Sequence, residues 1–221
     1  MLQILALLIT INQLISTANA PAGTFAHLCS PLKLGDILGL KRGEVRRCLR
    51  DMHSVVNVGD DKRDIQIYHK SFPDFLLDRS RSKEFAIDLQ AAHDRLYSHL
   101  IGTSQDRDTI LQVLGQVIIA KDIPPDMDII GINANSSSPK QVAAILGLEH
   151  GLVMQLVRDI PLLLESGDKD SDIKISQPSF LEFLLDSSRS QELSIDVNDA
   201  LLILRHAPTF RTIFETEGTY T

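Results

Sequence analysis

Five basic residues lie close together in the first half of the chain: Lys41, Arg42, Arg46, Arg47 and Arg50. Their ammonium and guanidinium groups can donate hydrogen bonds to phosphate or carboxylate oxygens. Phosphate contact with a nucleic acid is therefore one hypothesis for the cluster. A solvated or protein-facing surface is the other.

Few other residues have the types and spacings of a chemical site. Acidic residues cluster in two polar loops, at Asp60, Asp61, Asp168, Asp170 and Asp172. Such loops are typical of solvated turns. The sequence holds no GxxxxGKS/T phosphate loop, no GxSxG nucleophile motif and no HExxH metal pair. The absence of these motifs predicts that the chain is not an enzyme and binds no cofactor. Cys29 and Cys48 form no CxxC pair, so we predict no metal site and no disulfide framework.

The sequence contains an internal repeat. Residues 30–88 align with residues 138–196 at a constant shift of 108 without gaps, and about 27 of the 59 aligned positions are identical. The matched stretches are SP, ILGL, RD, GD, DI, SF, FLLD and SRS, in the same order. Shared composition does not produce so many identities in one register, so the sequence predicts a tandem duplication.

The repeat distinguishes features of the module from features of one copy. Glu149, His150, Met154 and Gln155 replace the first four basic residues in the second copy, and only Arg158 is retained. The basic surface therefore belongs to the first copy alone. A net charge of −7 also argues against a general nucleic-acid binder, whose footprint is a basic surface.

The apolar spacing of the first copy predicts a helix–turn–helix, a hairpin and two further helices. The predicted helices span Leu34–Leu38, Val45–Met52, Phe72–Leu77 and Asp88–Leu100, and the predicted strands span Ser54–Val58 and Ile65–His69. Gly39 and Gly43 mark the turn between the first two helices, and Ser71 is expected to be the N-cap of the third. This order predicts a winged-helix-like module.

The second copy predicts the same plan. Its predicted helices span Gln141–Leu146, Leu152–Ile160 and Phe180–Leu185, and its strands span Leu162–Glu165 and Ile173–Ser176. Pro161 is expected to end the second of these helices. Gly102–Asp108 is the predicted connector, and Pro124-Pro125 and Asn133–Ser138 are predicted loops. We expect a mainly α fold with short β-hairpins, as a unit over residues 1–101, a unit over 102–207 and a tail over 208–221.

The first 20 residues have two interpretations. The apolar run Leu2–Ile15, followed by Ala18-Asn19-Ala20, has the features of a secretory signal with its cleavage site. A similar run, Ile110–Ile119, precedes the second copy, and no Lys or Arg precedes the first run. We therefore expect a helix of the folded module, in a cytoplasmic protein without a membrane span, and secretion is the alternative.

The most recognisable text is YHKSFPDFLLDRSRS at residues 68–82. It resembles the segment that ends the winged-helix region of fungal NACHT-type proteins, members of the STAND class of P-loop NTPases. ILGLKRGEVRRCL at residues 37–49 and HSVV at residues 53–56 resemble preceding parts of that region. The likeness covers nearly all of the first unit and, more loosely, the second.

The resemblance implies a regulatory, non-catalytic role through protein contacts. In that family an NTPase domain lies upstream, and the winged helix packs on it and holds its ADP-bound resting state. A histidine at the start of the motif can contact the nucleotide phosphates there; the matching residue is His69, and the second copy has Gln177. The implied partners are an NTPase domain or another copy of the chain. Without such a domain, His69 is expected to be an ordinary hairpin residue.

Overall fold

A computed structural model describes residues 1–18, 24–122, 137–166 and 171–207. Over these residues the fold is mainly helical with two short antiparallel strand pairs, which confirms that part of the sequence prediction. The described residues divide into two compact units, with the boundary between His99 and Leu100, three residues before the end of the helix Leu89–Gly102 that we describe with the first unit. Some predicted features lie outside the described residues: Asn19-Ala20, Pro124-Pro125, loop residues 133–136, Asp168, Asp170 and the tail 208–221.

The first unit begins with a helix whose central residues, 4–11, are all buried. Its helices are α1 (Leu2–Thr17), α2 (Pro31–Leu38), α3 (Glu44–Leu49), α4 (Ser71–Leu77), α5 (Arg79–Ser82) and α6 (Leu89–Gly102). Short 3₁₀ turns follow α3 and α5, at Arg50–Met52 and Lys83–Phe85. Strands β1 (Val56–Asn57) and β2 (Gln66–Ile67) pair in antiparallel fashion, with Val56 opposite Ile67.

Over the described residues, the second unit has the same helices and strands in the same order, without a 3₁₀ turn after its third helix. Its helices are α7 (Arg107–Asp122), α8 (Pro139–Leu146), α9 (His150–Asp159), α10 (Pro178–Leu185), α11 (Ser187–Ser190) and α12 (Val197–His206). A 3₁₀ turn at Gln191–Leu193 follows α11. Strands β3 (Leu164–Ser166) and β4 (Ile173–Ile175) pair in antiparallel fashion, with Glu165 opposite Lys174.

Helix α1 shows why an unbroken apolar run forms a core helix. Residues 4 to 11 are all buried, and they include the threonine Thr10. A helix that is apolar all round is stable in water only when neighbouring elements cover it. None of the helices in the described ranges has the length and hydropathy needed to cross a bilayer.

In each unit, the repeated SP and ILGL motifs mark the start and the end of the same helix, α2 in the first unit and α8 in the second. Ser30 and Ser138 cap α2 and α8 by accepting backbone N–H groups, and a proline follows each at the first helical position. Gly39 and Gly147 end these helices in the left-handed conformation, at φ +65° and +67°. Glycine adopts this conformation without steric cost, so both turns occur at the predicted positions.

Several predicted boundaries are wrong. Ser71 is the first residue of α4 rather than its N-cap, because Lys70 is already helical and the Phe72 N–H donates to the His69 carbonyl at 3.0 Å. The connector is also shorter than Gly102–Asp108, since α6 includes Gly102 and α7 begins at Arg107. The strands are shorter too, because residues 53–55 and 161–163 form turns rather than extended chain.

Helices α7 and α12 pack closely in the second unit. A methyl carbon built at Gly115 would lie 3.1 Å from Cβ of Ala200 and 3.7 Å from Cγ2 of Ile195. The buried amide of Gln116 donates a hydrogen bond to the Ala200 carbonyl at 3.1 Å. Gly115 is therefore needed for space, and Gln116 fixes the register of the two helices.

Gly115→Val should lower the free energy of unfolding of the second unit by about 1–3 kcal/mol, because overpacking forces the two helices apart. The measurement is urea unfolding followed by circular dichroism. Gly151→Val on α9 is the matched control, since no atom lies within 4 Å of a carbon built there. Equal effects at the two glycines would contradict the close packing.

Candidate functional site

The basic cluster lies on the loop before α3, on α3 itself and on the 3₁₀ turn after it. Lys41 and Arg42 precede the helix, Arg46 and Arg47 are on it, and Arg50 begins the turn. The side chains of the four arginines are 52–78% exposed. The structure therefore places all five residues on one short, solvent-facing stretch of the first unit.

Each arginine of the cluster lies beside a carboxylate. Arg42 Nε and Arg46 Nη1 lie 3.4 and 3.7 Å from the two carboxylate oxygens of Asp61. The other two pairs are local: Arg47 with Glu44 at 2.9 Å, and Arg50 with Asp51 at 3.7 Å. The surface thus carries mixed charge rather than an open row of cations.

Asp61 is the member of this surface that the sequence did not indicate. It lies in the hairpin loop, 19 residues beyond Arg42, and the fold brings it to α3. Exposed ion pairs contribute only about 0–1 kcal/mol, so a phosphate or a partner carboxylate could still compete for these arginines. Lys41 has a further local tie, because its backbone N–H donates to Glu44 Oε2 at 3.1 Å.

His69 has different polar contacts from the basic cluster. It is exposed in the connection between β2 and α4, and its carbonyl accepts the Phe72 N–H. Within the described part of the chain, no hydrogen bond or ion pair joins it to the five basic residues. Gln177 takes the matching place before α10, where its carbonyl accepts the Phe180 N–H at 3.1 Å. In both units this position supplies a carbonyl that starts the next helix.

The SRS text after α4 and α10 forms a tight, repeated turn. The Asp78 carboxylate accepts the Ser80 N–H at 2.9 Å and the Ser80 hydroxyl at 2.6 Å. The buried Ser82 hydroxyl donates to the Asp78 carbonyl at 2.9 Å. Arg81 stacks over the Phe75 ring, 5.7 Å from its centroid.

The second unit repeats these contacts almost atom for atom. Asp186 accepts the Ser188 N–H and hydroxyl at 2.9 and 2.6 Å, and Ser190 donates to the Asp186 carbonyl at 2.9 Å. Arg189 lies 6.0 Å from the Phe183 centroid. The serine hydroxyl, above all, lowers the pKa of each aspartate below its usual value. The most recognisable text of the chain therefore has a structural role in both units.

Both turns continue through a residue in an unfavourable backbone conformation. Lys83 and Gln191 have φ +51°, with ψ −114° and −115°. Residues with a Cβ rarely adopt this region, which glycine reaches easily. After each turn the chain is tied back by a backbone hydrogen bond, from Ile87 to Leu76 and from Ile195 to Leu184.

The acidic residues of the first hairpin also act as structural acceptors. Asp60 accepts the N–H groups of Lys62 and Arg63, and the bond from Lys62 is the main cause of its lowered pKa. Asp64 accepts the Cys29 N–H at 2.9 Å. Burial, with a smaller effect of Asp64, raises the pKa of the Cys29 thiol to about 12, so this thiol is protonated and unreactive at neutral pH.

Asp172 has the same role as Asp64 in the second unit, where its carboxylate accepts the Ser137 N–H at 2.8 Å. The sequence interpretation of these acids as solvated turns missed this tie across 35 residues. Among the residues that the structure describes, no three His, Cys, Asp or Glu side chains are grouped closely enough to hold a metal ion.

Comparison of the chain with protein-family models, with curated proteins and with solved structures finds no match. The function must therefore be argued from the residues and their geometry. Two surfaces of the first unit are candidates for contact with a partner: the mixed-charge surface around α3 and the exposed stretch at Tyr68 and His69.

Lys83→Gly should raise the free energy of unfolding by about 1 kcal/mol, because glycine relieves the strain at φ +51°. Gln191→Gly should act likewise in the second unit. Thermal unfolding of the full chain measures both effects. Glu84→Gly is the control within the same 3₁₀ turn and should lower stability, since Glu84 has no positive φ. A loss of stability in Lys83→Gly equal to that of the control would show that the turn is not strained.

Proposed function

We propose that this chain is a non-catalytic regulatory module that acts through protein contacts in the cytoplasm. We also propose that its two units are winged-helix-like and arose by tandem duplication. The order of elements supports this: α2–α3 and α8–α9 are each followed by an antiparallel strand pair and by a helix with the same SF and FLLD text. In a winged helix the strand pair forms the wing beside the helix–turn–helix.

The main support for the proposal is that the polar residues of the SRS turn form hydrogen bonds within the turn. Asp78, Ser80 and Ser82 bond to one another or to backbone, and their counterparts in the second unit do the same. Side chains so engaged set the direction of the chain and are not poised to react with a substrate. This favours an interaction module over an enzyme.

The partner that we propose is an NTPase domain of the NACHT type, or else a second copy of this chain. The resemblance at residues 37–49, 53–56 and 68–82 supports the first of these. His69 is exposed beside Tyr68, whose side chain is 54% exposed, so an apposed surface could reach both rings. Gln177 cannot become an imidazolium donor, so the proposed nucleotide contact belongs to the first unit alone.

Sequencing the transcript upstream of Met1 tests this proposal. We expect an in-frame GxxxxGKS/T phosphate loop within one domain length. In the longer protein that includes this upstream NTPase domain, the His69→Ala variant should release bound ADP about tenfold faster, because one hydrogen-bond donor to the phosphates is lost. Fluorescent ADP release measures this rate, and His53→Ala, exposed elsewhere in the same unit, should leave it unchanged. Equal rates in the two variants would remove the nucleotide role of His69.

Nucleic-acid binding through the basic cluster is the second candidate, favoured by the exposure of its arginines and opposed by their carboxylate neighbours. Fluorescence anisotropy with duplex DNA at low salt distinguishes the two. Under our proposal we expect no saturable binding below about 100 μM, which is the weak end of non-specific DNA binding. The test variant is a quadruple charge reversal: Arg42→Glu, Arg46→Glu, Arg47→Glu and Arg50→Glu.

Salt-dependent DNA binding that disappears in this variant would support the nucleic-acid hypothesis and contradict our proposal of a protein-interaction module. Asp61→Asn sharpens the comparison, because it removes the carboxylate that lies beside two arginines of the cluster. If these arginines contact phosphate, Asp61→Asn should tighten DNA binding severalfold. If they do not, the anisotropy of the DNA should remain constant as the Asp61→Asn variant is added, as with the unmodified chain.

A further inference from the structure

A cavity of about 270 Å³ opens between α1 and the start of α6 in the first unit. Apolar side chains form most of its walls: Leu2, Ala6, Leu7, Leu38, Ile87 and Ala92. Alanines on both helices leave the space open, because a methyl group does not reach the facing helix. Gln3, Asp88 and Arg95 add polar groups to the lining.

The corresponding helix pair of the second unit is closely packed. Ala92 of α6 aligns with Ala200 of α12 at the shift of 108, and Leu7 of α1 aligns with Gln116 of α7 at a shift of 109. Gln116 donates its amide hydrogen bond to the Ala200 carbonyl, and Gly115 brings α7 close to α12. Leu7 has no amide to make such a bond. At these aligned positions, α7 and α12 are therefore in close contact where α1 and α6 leave a cavity.

A cation lies at one end of the cavity. Arg95 is exposed on α6 and also lines the shallow groove that continues along this helix to His99. Within the described residues, no carboxylate lies within ion-pair distance of its guanidinium group. Asp88 lies two turns earlier, roughly 10 Å along the helix axis, and its carboxylate accepts the Ala91 N–H at 3.1 Å. The acid thus caps the helix, while the guanidinium is available to a ligand.

We propose that this cavity binds a small amphipathic carboxylic acid, with its apolar part between α1 and α6 and its carboxylate on Arg95. A dry apolar cavity of about 150 Å³ accommodates benzene, so this volume suits roughly ten non-hydrogen atoms. Arginine donates two parallel hydrogen bonds to a carboxylate, which makes it the natural partner for this head group. The proposal is independent of the regulatory role proposed above.

Titration of the full chain with sodium octanoate tests the assignment, with the methyl groups of alanine and leucine observed by NMR. We expect saturable shifts confined to the cavity methyls, such as those of Leu7, Ala86 and Ala92. 1-Octanol, which has the same tail and no charge, should bind at least about fivefold more weakly. Octanol binding as tight as that of octanoate would overturn the assignment of a carboxylate.

Two variants locate the ligand. Arg95→Gln should weaken octanoate binding about fivefold and leave octanol unchanged, whereas Arg158→Gln, the same change at an exposed position of α9, should alter neither. Ala91→Phe should fill the exposed mouth and abolish both, whereas Ala144→Phe on the exposed face of α8 should not. Unshifted methyl resonances of the second unit verify that each variant folds. Shifts spread over both units, or retained in Ala91→Phe, would overturn the proposal.

Discussion

In each unit, an aspartate and the residue after it form a pair of hydrogen bonds, called here the clamp, that ties the hairpin to the helix–turn–helix. Asp64 accepts the Cys29 N–H, and the next residue, Ile65, donates its own N–H to the Cys29 carbonyl at 3.0 Å. Asp172 and Ile173 hold Ser137 in the same way. The clamp joins the start of the second strand to the residue before the N-cap of the first helix. The strands are only two or three residues long, so hydrogen bonds of this kind contribute to placing the hairpin.

The turn after α4 and α10 is the second fixed point of each unit. Its aspartate and two serines are joined by hydrogen bonds, its arginine lies over a phenylalanine ring, and a strained residue follows before the last helix. These contacts explain why the SRS text is the same in both units although most exposed residues differ. The most recognisable residues of this chain therefore determine how the backbone turns.

The two units therefore share a framework and differ where a ligand or partner could bind. In the first unit Asp61 joins the hairpin loop to the arginines of α3, and a cavity remains between α1 and α6. In the second unit the arginines are replaced, and Gln116 bonds to the helix that faces it.

The sequence by itself determined the repeat, the order of elements and the ends of α2 and α8, because capping serines, prolines and left-handed glycines act within a few residues of their own position. It misplaced Ser71, since a backbone carbonyl replaced the expected side-chain cap. Only the tertiary structure decided the partners of Asp61, Asp64 and Asp172, which lie between 15 residues away, for Arg46 and Asp61, and 37 residues away, for His27 and Asp64. The cavity likewise depends on the separation of two helices. Such distances follow from how side chains pack across the unit, and no local spacing of residues encodes them.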